Sequence, residues 1–214
     1  MKQLVIIGAG GFGREVLEWA RESRDYGKEW EIAGFLDDKA DALDAFPGID
    51  VPVLGNTVDT NPQPGQMFVI AVGNPSIRRM LWERYLEKGA EFATIIHSSC
   101  VVGSRVRLGP GVILCPRVVL TCDLEIGANS ALNVSTAVGH DAQIGSHCQL
   151  SSFCDITGFV KVGDEVMMGS RASVIPGKCV GNGSIVGAGS VVVSDVPDNV
   201  TVFGNPARIL TRHA

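Results

Sequence analysis

The chain has 214 residues, 45% of them hydrophobic but only 6% aromatic, with 26 glycines, 19% charged residues and a formal net charge of −5. That length makes one large domain or two small ones, with room for a sizeable core. Mild acidity without a basic cluster offers no electrostatic footprint for nucleic acid or an anionic membrane surface, and no apolar run approaches the roughly 20 residues that span a bilayer, so membrane insertion is excluded.

The apolar run Leu4 to Ile7 is broken by Gly8, Gly10, Gly11 and Gly13 and followed by Arg14-Glu15. It is too short for the apolar segment of a secretory signal, and the protein is expected in the cytoplasm. It reads instead as a strand, followed by a helix over Arg14 to Arg24 with Val16, Leu17 and Ala20 at helical spacing. Glu31 to Leu36 is a second strand, Val51 to Leu54 a short apolar stretch and Met67 to Val72 a clear strand. Asn74-Pro75-Ser76 opens a helix carried by Ile77, Met80, Leu81, Tyr85 and Leu86, and Gly89 stops it. Strands alternating with helices predict a small, Rossmann-like α/β domain with a parallel sheet, over residues 1–93.

Beyond this point the composition changes. Ten of the thirteen aromatic residues precede position 100, whereas twenty of the twenty-seven valines follow it. Every sixth residue from Ile96 to Val192, 17 positions without insertion, is aliphatic or Met. If such residues fill about a third of a chain, one register does this by chance about once in 10⁸. Glycine often follows the aliphatic, as at Gly103, Gly109, Gly127, Gly139, Gly145 and Gly163, and the fourth residue after it is usually small or β-branched. A period of six fits neither helix nor hairpin. It fits short strands joined by tight corners, with the aliphatic pointing inward and glycine expected to supply positive φ at the corners. Three hexads per triangular coil make a parallel β-helix over 94–196, nearly six coils long, with 197–214 as a capping segment. Leu124 and Lys178 depart from the small-residue column, and Lys178, beside Pro176-Gly177, is expected to mark a distorted corner. The six cysteines form no C-x-x-C pair and show no metal-ligand spacing with histidine, which suits buried thiols in a reducing compartment; no metal is expected.

The unit [Ile/Val/Leu]-Gly-x-x-[small]-x resembles the hexapeptide repeat of the left-handed β-helix acyltransferases, and Val202-Phe203-Gly204-Asn205-Pro206-Ala207-Arg208 is similar to their closing segment. More narrowly, the Gly8 to Gly13 loop, Phe35-Leu36-Asp37-Asp38, Ala71-Val72-Gly73-Asn74 with Arg78, and Gly139-His140-Asp141 resemble the sugar O-acyltransferase (sialic acid O-acetyltransferase-like) family, which includes bacterial UDP-4-amino-sugar N-acetyltransferases. The resemblance spans nearly the whole chain. It implies a left-handed β-helix, a homotrimer with active sites between subunits, acetyl-CoA as acyl donor and a UDP-linked amino sugar as acceptor in surface glycan synthesis.

Acetyl transfer to an amine needs a base for the nucleophile's proton, a task that suits imidazole. The resemblance places that base at His140, with Asp141 holding its tautomer. Relatives usually carry a second histidine nine residues later, contacting the acetyl carbonyl; here that position is Gln149, whose amide can still donate a hydrogen bond to a developing oxyanion. The same offset carries further CoA contacts to Gly158, Ser170 and Ala188, which suggests a ligand lying lengthwise along the prism. Lys178 and Arg208 are cations available to CoA phosphates, and His147, out of phase with the site, reads as surface. A glycine loop between strand and helix can receive a phosphate, and acidic residues after the second strand commonly meet a ribose or base. By resemblance, Gly10, Gly11 and Phe12 lie near the diphosphate of the UDP-sugar and Asp37 and Asp38 near uridine; many relatives have His where this chain has Phe12. Asn133, one coil edge before His140, is a candidate contact for the acceptor. Rival readings are O-acetylation of sialic acid or another hydroxyl, a γ-type carbonic anhydrase needing three histidines, an NAD-dependent oxidoreductase, and an inactive β-helix scaffold.

Overall fold

The computed structural model describes residues 1–213. The first body is a four-stranded parallel sheet of β1 (Lys2–Ile7), β2 (Trp30–Leu36), β3 (Val53–Gly55) and β4 (Gln66–Ile70) in the order β3-β2-β1-β4. Helix α1 (Gly11–Arg21) covers one side and α2 (Pro75–Glu87) the other. The period of two in β1 explains the layering. Leu4 and Ile6 pack into one core with Val16, Leu17 and Ala20 of α1, while Val5 and Ile7 pack into another with Leu81, Trp82 and Tyr85 of α2. Asn74 caps α2 by accepting a hydrogen bond from the Ile77 N–H at 3.1 Å, and Pro75 takes the first turn, where no amide proton is needed.

Seventeen two-residue strands follow, from β5 (Ile95–Ile96) to β21 (Val191–Val192), one for each repeat predicted from the sequence. They form three parallel ladders whose partners are 18 residues apart, such as Ala131 with Ile113 and Gln149. The result is a left-handed parallel β-helix of triangular section. The second residue of each strand points inward, and from Leu114 to Val192 these side chains are buried in one column-filled core. Each such burial is worth about 1.5–3 kcal/mol. The ladder continues past residue 196: β22 (Val200–Phe203) extends one face in parallel with Ile185-Val186, and β23 (Arg208–Arg212) pairs antiparallel to close it.

The corners differ from expectation. Positive φ does not fall on the glycines that follow the aliphatics but two residues later, at every sixth position from Arg105 to Gly189, and eleven of these fifteen residues are not glycine. From Asp123 onward the left-handed backbone aims each of these N–H groups at a carbonyl of the preceding coil. Asp141 N donates to Cys122 O, His147 N to Ala128 O and Phe159 N to His140 O, at 3.3, 2.9 and 3.0 Å. Such a bond offsets the roughly 1 kcal/mol steric cost of the conformation. The glycines are needed for a different reason: at Gly127 a Cβ would sit 2.6 Å from the Ser146 nitrogen of the next coil. The corner at Lys178 is regular, with Gly177 at φ +72° and Lys178 O accepting from Lys161 N at 2.9 Å. Leu124 is buried in the core like its neighbours.

The three faces have different outward residues. One face, with Ile95, Ile113, Ala131 and Gln149, carries the α/β domain: Ile113, Cys115 and Ala131 belong to the same core as α1. The C-terminal end of α1 is tied to the first coil by Ser98 N donating to Glu22 O at 3.2 Å and by His97 Nε2 with Glu22 Oε2 at 2.9 Å. The second face shows Val101, Val119 and Ala137; the third shows Arg107, Glu125, Gln143 and Lys161. No helix among the described residues is long and apolar enough to cross a membrane.

Candidate active site

His140 and Asp141 lie on the edge between the second and third faces, each exposed, with His140 Nδ1 2.8 Å from Asp141 Oδ2. A carboxylate accepts, so Nδ1 is the donor, and in the neutral ring Nε2 is then the acceptor. The ring is boxed in. Gly158, one coil further on, lies beneath it so closely that a Cβ there would be 2.8 Å from both Cε1 and Nε2. Phe159 meets it edge-on, with centroids 5.0 Å apart and planes at 89°. One coil before, Asp123 is held by Arg105, whose Nη2 donates to Asp123 Oδ2 at 2.7 Å, and that hydrogen bond keeps the carboxyl down at about 2. Asp123 and Phe159 were not singled out from the sequence, although the coil length flags them: they are the positions 18 residues either side of Asp141.

Gln149 lies elsewhere. Nine residues are half a coil, which moves the chain from the His140 edge to the face under the α/β domain, where Gln149 pairs with Ala131 and Met167. There it is 5% exposed and its Oε1 has no hydrogen-bond partner among the described residues. Asn133 is on the same face one coil earlier, its Oδ1 accepting from Val134 N at 2.6 Å and Ser152 Oγ at 3.3 Å. Ser170 and Ala188 are exposed and stacked on the edge between this face and the second, with Gly189 N donating to Ser170 O at 2.9 Å. Gly158 is on the other edge of the second face, so the three expected CoA contacts flank one face instead of following a single edge.

In the α/β domain the glycine loop is fixed by its aspartate. Asp37 Oδ2 accepts from Ala9 N at 2.8 Å and Oδ1 from Lys39 N at 3.0 Å, which leaves Gly10 and Gly11 exposed at an α1 N-terminus that no side chain caps. Gly13 is there because a Cβ would overlap the Gly8 carbonyl. Phe12 is half-buried against Trp19, edge-on at 6.2 Å. Asp38 Oδ1 accepts from Thr57 N at 2.9 Å and Oγ1 at 2.8 Å; these bonds, aided by Arg84, hold its carboxyl below the usual range. Asp37, Asp38, Thr57, Val72, Met80 and Arg84 line a cavity of about 240 Å³ at the C-terminal ends of the strands. It includes Gly8 of β1's end and Val72 of β4's end, where the strand order reverses, the usual ligand crevice of a parallel sheet. Thr57 and Arg84 carry no sequence motif that marks them. A larger trough of about 490 Å³ follows the glycines of the third face and brings together none of the candidate residues.

His147 is not simply surface. It sits half-buried on the edge beside α2, with Nδ1 3.0 Å from Asn129 Nδ2 and its ring edge-on to Trp82. His97, His140 and His147 thus occupy three different edges, each with its own partners, and do not converge. Among the described residues no group of His, Cys, Asp or Glu is arranged to hold a metal ion. Burial pushes the Cys148 and Cys154 thiols up to about 12.

Comparison with known proteins matches both bodies of the chain. The family model described as the PglD N-terminal domain matches residues 3–85. The curated UDP-N-acetylbacillosamine N-acetyltransferase of Bacillus subtilis is 35% identical over 115 residues, 52% of this chain and half the length of that relative. PerB from Caulobacter crescentus, solved with CoA and GDP-perosamine, is 33% identical with a TM-score of 0.88 over 99% of this chain and 98% of its own. The acetyltransferase domain of PglB from Neisseria gonorrhoeae, solved with acetyl coenzyme A, is 30% identical with a TM-score of 0.87 over 98% and 99%. With both bodies and their order matched along the full length of these solved relatives, the chain belongs to the hexapeptide-repeat family of sugar N-acetyltransferases.

Proposed function

We propose that the protein transfers the acetyl group of acetyl-CoA to the amine of a UDP-linked amino sugar, with His140 as general base. The observation that carries this reading is the His140 and Asp141 pair: an exposed imidazole with Nδ1 committed to a carboxylate and Nε2 free. As the amine nitrogen attacks the thioester carbonyl, Nε2 takes its proton; the C–S bond breaks, and the proton passes from Nε2 to the departing CoA sulfur. Asp141 keeps the tautomer and favours the transient imidazolium. Transfer is direct: Cys100, Cys115, Cys148 and Cys154 are buried, the thiol of Cys122, one coil before His140, is held up by its hydrogen bond to Asp123, and Cys179 lies away from the site on the third face, so none is poised to form an acyl-enzyme. Acetyl-CoA is assigned to the small residues at the margins of the second face, the partly exposed Gly158 on one side and the exposed Ser170 and Ala188 on the other.

The nucleotide is assigned to the cavity bounded by Asp37 and Asp38, with its diphosphate toward the free amides at Gly10 and Gly11. That cavity belongs to the domain on the first face, whereas His140 is on the opposite edge of a prism whose sides are roughly 15–20 Å. A sugar held there is out of reach of the same chain's His140, so the site is completed by a second copy. The second face, apolar over its first coils at Val101 and Val119 and flanked by exposed Phe153 and Phe159 at its two margins, suits that contact. We assign a homotrimer with one site at each junction.

The test incubates the protein with acetyl-CoA and UDP- and GDP-linked amino sugars, with sialic acid alongside. Acetylated mass and free thiol are followed, and His140→Ala is run in parallel. Base-stable acetylation of a UDP-amino sugar and a loss of 10² to 10⁴ in kcat for the variant are expected. Turnover only with GDP-sugars corrects the base, a base-labile ester corrects the acceptor, and wild-type turnover by His140→Ala removes the assigned base.

A further inference from the structure

Acetyl transfer as proposed needs the acceptor pocket and the His140 edge of another copy in a fixed relation, so the way the α/β domain is held on its β-helix matters. Arg78 of α2 is at the centre of that junction. It is 0% exposed and has no ion-pair partner among the described residues; all its hydrogen bonds go to neutral acceptors. Nη1 donates to Ile70 O and Val72 O, both at 2.9 Å, at the end of β4 where Val72 walls the nucleotide cavity. Nε and Nη2 donate across the domain boundary to Asn129 O at 3.0 and 2.8 Å, and Nη2 also reaches Asn129 Oδ1 at 3.2 Å.

Asn129 completes the clamp. Buried on the β-helix edge at φ 54°, it returns a bond from Nδ2 to Arg78 O at 3.1 Å and reaches His147 Nδ1 at 3.0 Å. The His147 ring meets Trp82, one turn along α2 from Arg78. A buried charge without a counter-charge carries a desolvation penalty that an apolar side chain of the same size avoids. What the guanidinium adds is direction: a planar fork of donors fixes carbonyls from two bodies at once.

We infer that Arg78 is a positioning residue for the acceptor. It ties the wall of the nucleotide cavity to the β-helix edge and thereby sets where the sugar amine stands relative to the His140 of the neighbouring copy. This rests on the acetyl-transfer reading above.

Two variants test it. Arg78→Met removes the donors and keeps an apolar stem. Asn129→Gly keeps the left-handed backbone and the carbonyl and removes only the side-chain bonds. For each, kcat and KM are measured with the UDP-amino sugar and, separately, with the same amino sugar lacking the nucleotide, which the α/β domain does not orient; binding of UDP and of CoA is measured by calorimetry. A misplacement near 1 Å costs about 100-fold. Arg78→Met is expected to lose about that much kcat with the UDP-sugar and Asn129→Gly about tenfold, while UDP and CoA binding and the slow reaction of the free sugar stay at wild-type values. An unchanged preference for the UDP-linked over the free sugar overturns the inference. So does parallel loss of UDP binding, CoA binding and both reactions, which marks Arg78 as structural only. If Arg78→Met does not fold, Asn129→Gly decides alone, its preference either falling tenfold or not. Wild-type protein that acetylates no nucleotide-linked amino sugar fails the acetyl-transfer reading, and this inference falls with it; working wild type with unaffected variants fails the inference alone.

Discussion

Replacing Gly158 by alanine probes the imidazole cage directly. The new methyl would stand 2.8 Å from His140 Cε1 and Nε2, against an ordinary contact of about 3.5–4.0 Å, so the ring must retreat by about 1 Å. Retreat pulls Nδ1 away from Asp141 and turns Nε2 from the reacting amine. Misplacement on that scale costs about 10² in rate, or about 2.7 kcal/mol in the barrier. The fold itself has little reason to object, since Gly158 is not among the positive-φ glycines and is partly exposed. A change in Tm below about 2 °C is expected. Steady-state kinetics with a thiol-release assay separates the outcomes. A fall in kcat of about 100-fold with an unchanged KM for acetyl-CoA supports the cage. Wild-type kcat with a raised KM for acetyl-CoA refutes it and leaves Gly158 as a donor contact only. A large drop in Tm refutes the premise that the glycine serves the ring and not the coil.

Two further outcomes follow from the corners and the domain junction. Gly103→Ala places a methyl onto the Thr121 carbonyl of the next coil, which is backbone and cannot yield; a loss of about 3 kcal/mol or more in denaturant unfolding is expected, and a neutral result rejects the close-stacking account of this column. Burial, with Arg78 and Arg79 adding to it against Glu165 and Asp164, lowers the His147 imidazole below its ordinary value. Between that ordinary value, about 6.5, and the lower folded one, the unfolded chain binds a proton that the folded chain does not, so stability is lost as pH falls through about 6.5 and the loss levels off once the folded group also protonates. His147→Gln removes this component: Tm should drop less between pH 7 and pH 5 than in wild type, and identical slopes would remove His147 as a contributor.

The β-helix was legible because its interior is a filter. A narrow triangular bore admits one aliphatic per side, and a strict period of six records that selection in the sequence. The glycines were read with the right location and the wrong cause: close approach of coils and left-handed corners both favour glycine, and only backbone geometry separates them. The environment of His147 and the clamping role of Arg78, a residue marked only by its motif, were opaque for another reason. Their partners, Trp82 and Asn129, lie across a boundary between two bodies, and no periodicity links a helix of one to an edge of the other. The separation of Gln149 from His140 was available in principle, since nine residues are half of eighteen. Motif matching treats them as one site because it counts along the chain and not around the prism. In the α/β domain, the parallel sheet and the loop position followed from alternation and glycine spacing, whereas the Thr57 and Arg84 walls of the cavity come from a loop and a helix face without any pattern.

The uninterrupted ladder of 18-residue coils also constrains how the chain can vary in length. A single residue gained or lost within a strand would rotate everything after it around the prism, carrying inward side chains outward and every edge residue off its edge. Only a whole coil leaves the phase intact. Adding one between Ser170 and Ala188 would lengthen the donor groove by about 4.8 Å while leaving Phe159 against His140 and Arg79 of α2 bonded to Glu165, so the reach of the groove and the chemistry of its reacting end are separately adjustable parts of one molecule.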